Sequence, residues 1–327
     1  MHREVDALEY VKLGRAGVKV SRLCLGCLNF GWVTDEAESI RIIHRALDAG
    51  INFIDTANVY SRGLSEEIVG EALAGRRDQV ILATKFSRPV GDGPNDRGNS
   101  RWHIMREVEG SLRRLKTDYI DLYQVHRPDP DTPLDETLSA LTDLVRQGKV
   151  RYIGTSTFPA WQLCESLWIS ERMGYERFVC EQPPYNILNR GIERELLPFA
   201  QKHGFAIIPW SPLAAGWLSG KYRRGEAPPP DSRAVRRNWD LESELSAKRF
   251  AVVEQLEGLA KEIGRTISQL ALNWLLQQPA VTAPIIGPRT MEQLEDNLAA
   301  FGWSLAPEHL EFIDRLVPPG TEIHPMY

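Results

Sequence analysis

Short apolar runs rich in β-branched residues alternate with amphipathic segments from about residue 20 to residue 300. Apolar runs of this length are typical of buried strands, and a stripe such as Ile40, Ile43 and Leu47 is typical of a helix face. The predicted strands are 22–27, 51–55, 79–84, 120–125, 149–154, 178–182, 206–210 and 282–286. The predicted helices between them are 35–49, 65–74, 101–116, 133–146, 159–173, 190–203 and 290–300.

Eight buried strands separated by helices predict a closed parallel sheet covered on its outside, the (β/α)8 or TIM barrel of α/β proteins. A doubly wound sheet is the alternative, but it normally has a GxGxxG sequence after its first strand, and this chain has none there. The segment GCLNFG at 26–31 has the glycine spacing of a phosphate-binding loop, yet Trp32 stands where that loop needs a lysine. The barrel is therefore the predicted fold.

Several segments exceed what a barrel requires. An N-terminal extension precedes the first strand, and a long Pro- and Arg-rich stretch, 211–245, follows the seventh. Loops of this length in a compact domain usually cover a site or are disordered, and we expect no regular structure in this one. Helices at 246–263 and 267–277 lead to the eighth strand, and an extra C-terminal helix is predicted at 307–316. Because no linker interrupts the pattern, residues 1–327 are expected to form one domain.

Composition narrows the classes of function. The 327 residues are 43% hydrophobic and carry a formal net charge of −5. This mild acidity gives no indication of binding to nucleic acid or an anionic membrane, which would need basic patches. No apolar run approaches the ~20 residues of a membrane span. The start, MHREVDALEY, lacks the apolar core of a signal peptide, so a cytoplasmic location is expected.

The four cysteines do not indicate a metal site. Cys24 and Cys27 form a CxxC within the first predicted strand, and no second such pair or histidine pair stands at zinc-ligand spacing. Together with Cys164 and Cys180 they are expected to be ordinary, mostly buried thiols.

Four polar side chains follow three neighbouring predicted strands, at the barrel end where active sites lie. They are Asp55, Tyr60, Lys85 and His126. A phenol can protonate a carbonyl oxygen as hydride reaches its carbon, and a lysine ammonium beside it would lower its pKa from ~10. Asp55 would keep Lys85 charged, while His126 would either orient the substrate oxygen or relay a proton. The pattern predicts carbonyl reduction.

The other strand ends suit a dinucleotide that supplies the hydride. Ser156, Thr157 and Gln182 can bind a carboxamide, and Trp210 offers a ring for stacking. The segment SPLAAGWLSGKY at 211–222 and the helix start IIGPRTMEQLEDN at 285–297 lie where barrels bind phosphates. An ordinary helix cap with a solvated face is the alternative for the second segment.

These motifs together resemble the aldo-keto reductase family. FIDTANVY, ATKF, YQVHRPDP, GTSTF, EQPPYN, PWSPL and IIGPRTMEQLEDN occur in family order across nearly the whole chain. The strand-seven segment is similar to the branch that includes bacterial reductases and potassium-channel β subunits. The resemblance implies a barrel that binds NADPH without a Rossmann domain, with NADH as the alternative cofactor because only Arg289 stands at the 2′-phosphate position.

The resemblance also implies roles for individual residues. Tyr60 matches the proton donor, and Asp55, Lys85 and His126 match the residues that support it. The positions that match cofactor contacts are Ser156, Thr157, Gln182, Trp210, Ser211, Leu213, Gly216, Lys221, Gly287, Arg289, Gln293 and Asn297. Thr157 stands where the family commonly has Asn.

The expected function is reversible, NADPH-dependent reduction of an aldehyde or ketone. A cofactor-bound redox-sensing module that docks on a partner, as channel β subunits do, is the alternative. A Schiff-base lyase that uses Lys85 is a third reading, but it needs a neutral lysine. The expected partner is a small molecule, and a homo-oligomer is compatible with the sequence. The residues expected to line the substrate mouth are Trp32, Phe86, Trp217 and Trp239, with Asn29 and Arg127.

Overall fold

The computed structural model describes residues 8–324. Residues 1–7 and 325–327 lie outside this range, so the expectations of no signal peptide and of one domain over 1–327 fall partly outside the described residues. The strands in chain order are β1 (Tyr10–Lys12), β2 (Lys19–Ser21), β3 (Cys24–Gly26), β4 (Phe53–Asp55), β5 (Ile81–Phe86), β6 (Ile120–Val125), β7 (Val150–Ser156), β8 (Phe178–Gln182), β9 (Ala206–Ile207) and β10 (Ile285–Ile286).

The last eight of these strands form one parallel sheet in the order β10-β3-β4-β5-β6-β7-β8-β9. Backbone hydrogen bonds close the gap between β9 and β10: Thr282 N donates to Ile207 O at 2.8 Å, and Ile285 N donates to Pro209 O at 2.8 Å. The predicted (β/α)8 barrel is therefore confirmed. The N-terminal extension forms the antiparallel β1–β2 hairpin, whose Leu13 and Val20 are buried against the apolar cluster inside the barrel.

Helices follow the barrel strands close to their predicted positions. They are α1 (Glu36–Asp48), α2 (Leu64–Ala72), α3 (Arg101–Arg114), α4 (Leu134–Arg146), α5 (Ala160–Met173), α6 (Leu196–His203), α7 (Arg233–Arg236), α8 (Glu244–Glu262), α9 (Ile267–Leu276), α10 (Met291–Leu298) and α11 (Pro307–Leu316). No helix within residues 8–324 has the combination of length and apolar character that crossing a bilayer requires.

Two boundaries differ from prediction in ways that matter for the site. The third barrel strand is predicted at 79–84, but the observed strand is β5, Ile81–Phe86. It starts later because residues 77–79 form a 3-10 turn, and it ends later because pairing with β6 continues to Phe86. The stretch 211–245 is not irregular throughout, since it contains a 3-10 segment, Ala214–Ser219, and the short helix α7.

An aromatic cluster anchors this long stretch to the C-terminal part of the chain. The rings of Trp217 and Trp239 stack with centroids 6.0 Å apart, and His324 meets Trp239 edge-on at 5.8 Å. Ile323 N in turn donates to Leu188 O at 2.8 Å, which ties the C-terminal segment to the loop after β8. The stretch is thus held by packing, and Trp217 and Trp239 do not line the cavity described below. The expectation that they do was wrong.

The cluster makes a prediction about acid stability. Burial, with the nearby charges of Arg249, Arg233 and Arg237, lowers the pKa of His324 to about 4. Below its unfolded-state pKa of ~6.5, the unfolded chain takes up a proton that the folded chain does not, so the free energy of unfolding falls as the pH drops. Between pH 7.5 and pH 5, the free energy of unfolding should therefore fall by about 2 kcal/mol more in the wild type than in His324→Phe. Urea denaturation at the two pH values measures both changes. Equal losses in the two proteins would contradict this role.

Candidate active site

A buried ion pair lies at the centre of the site. The Lys85 ammonium donates to Asp55 Oδ2 at 2.5 Å, to Thr56 O at 2.8 Å and to the Tyr60 hydroxyl at 3.2 Å. The side chain of Lys85 is fully buried and that of Asp55 is 4% exposed. The ammonium therefore has three oxygen acceptors, one of which is the phenol that the sequence predicts as the acid.

Strand alternation explains why Lys85 reaches this position. Because β5 continues to Phe86, Lys85 faces the barrel interior with Ala83, and its neighbour Phe86 faces the surrounding helices. The Phe86 ring packs against Tyr123, with centroids 4.8 Å apart, and is completely buried. The expectation that Phe86 lines the substrate mouth was therefore wrong, because the strand extends two residues further than predicted.

The second oxygen of Asp55 is also fully engaged. Gln124 Nε2 and Gln182 Nε2 each donate to Asp55 Oδ1 at 3.0 Å, and Gln182 Nε2 also donates to Gln124 Oε1 at 3.2 Å. Sequence reasoning missed Gln124, although it lies two residues before His126 and shares its inward face by strand alternation. The network fixes the carboxylate that holds Lys85.

The pKa values in this group depend on the competition between burial and charge. Burial alone would lower the pKa of Lys85, but Asp55 and Tyr60 together raise it above its ordinary value. Burial raises the pKa of Tyr60, and Lys85 opposes this rise without reversing it. The sequence-based expectation of a net lowered Tyr60 pKa was wrong, because it left out the loss of hydration. Tyr60 is thus a protonated phenol at neutral pH.

His126 is held as a neutral imidazole. Burial, together with the charges of Lys85, Arg127 and Arg88, lowers its pKa well below the ordinary value. Its ring meets the Tyr60 ring edge-on with centroids 5.7 Å apart, and its buried Nδ1 has no hydrogen-bond partner among the described residues. A neutral ring with an unpaired nitrogen beside Tyr60 can hydrogen-bond a polar group placed in the cavity.

These groups open into a cavity of about 950 Å³ at the carboxyl end of the barrel strands. Asp55, Tyr60 and His126 line its floor, with Trp32 and Arg127 among the other lining residues. The predicted cofactor residues that line it are Ser156, Gln182, Trp210, Ser211, Leu213, Gly216, Lys221, Gly287, Arg289, Gln293 and Asn297. The tertiary structure thus brings together residues predicted separately after seven of the barrel strands.

Thr157 is the predicted cofactor residue that does not line the cavity. Its hydroxyl accepts a hydrogen bond from the Arg127 guanidinium, which lies over the Trp210 ring at 5.8 Å. Its backbone has φ 65°, a left-handed conformation uncommon for a residue other than glycine. Thr157 is therefore not positioned to make the expected contact with the carboxamide.

One end of the cavity is rich in cations. The residues that line it are Lys221, Arg233, Arg236, Arg237 and Arg289. Burial, together with the charges of the nearest arginines, lowers the pKa of Lys221. The three arginines from 233 to 237 were not predicted, because α7 was expected to be irregular. Clustered like charges of this kind repel one another unless an anion lies among them, so the donor set fits phosphate groups.

A single ion pair joins the two segments that form this end. The Arg289 guanidinium binds the Asp231 carboxylate and donates to Asp231 O at 3.3 Å, while its buried Nε has no partner among the described residues. Gly216 is required nearby, since its φ is 105° and a Cβ there would lie 2.3 Å from Lys221 Cε. The orphaned Nε and the Lys221 ammonium are donors available to a bound phosphate.

The helix that follows β10 is capped and braced. Thr290 caps α10 by accepting from Gln293 N, and Gln293 Oε1 accepts from Arg289 N at 2.9 Å. Asn29 Nδ2 donates to Gly287 O at 2.9 Å from the loop after β3. This end of the cavity therefore has a fixed backbone.

The cysteines are free thiols in the part of the chain that the structure describes. Cys24, Cys27 and Cys180 are buried with raised pKa values, for which burial is the main cause, and Cys164 is exposed. Within residues 8–324 no group of three or more histidine, cysteine or acidic residues is placed to hold a metal ion.

Comparisons with known proteins agree with this architecture. A family model described as Aldo/keto reductase family matches residues 22–318. The uncharacterized oxidoreductase YrpG of Bacillus subtilis is 44% identical, over 98% of this chain and 99% of that protein. A probable voltage-gated potassium channel subunit beta of Oryza sativa is 37% identical, over 96% and 99%, and versiconal hemiacetal acetate reductase of Aspergillus parasiticus is 36% identical, over 97% and 99%.

The chain therefore belongs to the aldo/keto reductase family, whose members are oxidoreductases that act on small carbonyl compounds. The resemblance drawn from the sequence motifs is confirmed.

The buried ion pair makes a prediction about stability. Lys85→Met leaves the Asp55 carboxylate buried with amide donors alone, so we expect the free energy of unfolding to fall by about 3 kcal/mol. Urea denaturation followed by circular dichroism measures it. Lys116→Met is the matched control, because Lys116 pairs with Glu71 on the surface, where both side chains are more than half exposed. Similar effects of the two variants would show that burial does not set the strength of the Lys85 pair.

Proposed function

We propose that the protein is an NAD(P)H-dependent carbonyl reductase that converts an aldehyde or ketone to an alcohol, reversibly, with Tyr60 as the general acid. The observation that carries the proposal is the Tyr60 hydroxyl, 3.2 Å from an ammonium that is itself held by Asp55, on the floor of the cavity. The phenol and the neutral imidazole line one space where a carbonyl oxygen would lie, and the buried ammonium contacts the phenol from outside that space.

The proton follows a short path in this proposal. A bound reduced nicotinamide supplies the hydride that the carbonyl carbon accepts. Tyr60 gives its proton to the carbonyl oxygen, and the phenolate that results is stabilised by the Lys85 ammonium. His126, being neutral, orients the same oxygen by a hydrogen bond from a ring N–H. In the oxidation direction the phenolate takes the proton back from the alcohol.

The cavity contains groups suited to hold the nicotinamide end of such a cofactor. The Trp210 ring offers a stacking face, and Ser156 also lines the cavity. Since Gln182 Nε2 is engaged by Asp55 and Gln124, its Oε1 is the atom that we expect to accept a hydrogen bond from the carboxamide.

The opposite end suits the phosphates and the adenosine. Ser211, Leu213, Gly216 and Lys221 would hold the pyrophosphate, and Arg289 would bind a 2′-phosphate. Gln293, Asn297 and Gly287 would meet the adenosine. The cationic surroundings favour NADPH, and NADH remains the alternative.

The other two readings differ in what they require. A Schiff-base reaction needs a neutral Lys85, and the raised pKa of Lys85 opposes it. The redox-sensing alternative draws support from the 37% identity with a protein named as a probable channel subunit beta. It predicts tight cofactor binding without turnover across aldehydes, ketones and quinones.

The first prediction of the proposal concerns Tyr60. Tyr60→Phe should lower carbonyl reduction by ~10²–10⁴, the usual contribution of a positioned acid, and should leave cofactor binding unchanged. NADPH consumption and quenching of tryptophan fluorescence measure the two quantities. Tyr119→Phe is the matched control, because the Tyr119 hydroxyl bonds Asp78 outside the cavity. Turnover that survives in Tyr60→Phe would remove Tyr60 as the acid.

The second prediction concerns Arg289. Arg289→Gln should weaken NADPH binding by about 10- to 100-fold, the range for loss of a hydrogen bond to a charged group, and should change NADH binding little. Asp231→Asn should instead tighten NADPH binding, because it frees Arg289 from a competing carboxylate. Equal effects on both cofactors, measured by fluorescence titration, would place the 2′-phosphate elsewhere.

A further inference from the structure

We propose that the substrate mouth selects carbonyl compounds that carry a carboxylate, and that Arg88 binds this carboxylate. The inference rests on the proposed function, since it names the substrate class of the same cavity.

The first argument is the distribution of charge around the reacting groups. The cavity wall beside Tyr60 and His126 contains the cations Arg88 and Arg127. Of the acidic residues that line the cavity, Asp55 is held by Lys85, and Glu292 and Asp296 lie on α10. Because α10 follows β10, and β10 is four strands away from β6 in the ring, these two acids lie across the barrel from the His126 strand end. The mouth is thus locally positive in a chain of net charge −5.

The second argument is how Arg88 is held. Ser87, directly before it, has φ 104°, a conformation that residues with a Cβ rarely adopt. Hydrogen bonds fix this turn: Ser87 Oγ donates to Arg127 O at 3.2 Å, and Gly98 N donates to Ser87 O at 2.8 Å. Asn99 Nδ2 also donates to Arg127 O at 3.0 Å. Strained backbone that its surroundings enforce in this way is typical of functional sites, and here it fixes the base of Arg88 at the cavity rim.

The third argument is that the guanidinium of Arg88 does not stabilise the fold through a contact with the described residues. It forms no hydrogen bond or ion pair with any residue in 8–324, whereas Arg101 and Arg106, from the following helix, pair with Asp143 and Asp96. Arg97, in the same loop, is also exposed and unpaired within the described chain, but it lies outside the cavity. Position therefore distinguishes Arg88, and Arg97 becomes the matched control.

The fourth argument is the character of the facing wall. Leu28 and Trp32 line the mouth and are 40% and 59% exposed, and Arg236 lies over the Trp32 ring at 4.8 Å. Exposed apolar side chains at a cavity rim suit an apolar or aromatic substrate body. The charge of Arg88 also contributes to the lowered pKa of His126, so its field reaches the group beside the reacting oxygen. An aromatic aldehyde with a ring carboxylate matches both walls.

The test compares 4-carboxybenzaldehyde with its neutral methyl ester, methyl 4-formylbenzoate, using the full-length chain and NADPH. In the wild type, kcat/KM should be about 10- to 100-fold higher for the acid, the range for one arginine–carboxylate contact, and 0.5 M NaCl should reduce this preference. Arg88→Gln should abolish the preference by lowering kcat/KM for the acid, with a much smaller change in kcat/KM for the ester. Arg97→Gln should behave as the wild type. No preference in the wild type, or equal losses for both substrates in Arg88→Gln, would overturn the proposal.

A binding measurement separates this inference from the proposed function. Isothermal titration of 4-(hydroxymethyl)benzoate and its methyl ester into the NADP⁺-saturated protein should show tighter binding of the acid, lost in Arg88→Gln and kept in Arg97→Gln. If neither aldehyde is reduced while this pattern holds, the carboxylate site stands and carbonyl reduction falls. If both aldehydes are reduced and the acid does not bind better, only the role of Arg88 falls.

Discussion

The buried ion pair of Lys85 and Asp55 is the interaction on which the rest of the site depends. An ammonium removed from water is stable only when charge and hydrogen bonds replace its hydration, and here Asp55, Thr56 O and Tyr60 do so. Gln124 and Gln182 hold the carboxylate in turn. This arrangement places a fixed positive charge beside a phenol that burial keeps protonated, which is the combination that proton donation followed by phenolate stabilisation requires.

Backbone strain is concentrated around this centre. Non-glycine residues with positive φ occur on the loops that border the cavity, namely Ser61, Arg62, Ser87, Thr157, Ser211, Ala214 and Ala215. Each such conformation costs on the order of 1–3 kcal/mol, and it persists where surrounding contacts enforce it. The barrel supplies those contacts, because the strand ends from which the loops start are fixed by pairing on both sides.

The distribution of charge gives the cavity two distinct cationic regions. One lies where the stretch after β9 meets α10, and its lysine and arginines suit the phosphates of a dinucleotide. The other, at Arg88 and Arg127, lies beside the reacting groups. The ion pair between Asp231 and Arg289 joins the two segments that form the first region, which are far apart in sequence. In an acidic chain, a positive cavity concentrates the attraction for anions at the proposed reaction site.

The sequence by itself determined the barrel, the order of its elements and the grouping of Asp55, Tyr60, Lys85 and His126, because strand periodicity and position at a strand end are local properties. Only the tertiary structure decided that Phe86 faces the helices, that Thr157 bonds Arg127, that Trp217 packs against Trp239, and that burial outweighs Lys85 in setting the pKa of Tyr60. These outcomes depend on the residue at which a strand ends, on which of several groups a side chain hydrogen-bonds, and on how much water is excluded from around a titratable group. Each is settled by contacts between segments distant in sequence, which no local pattern records.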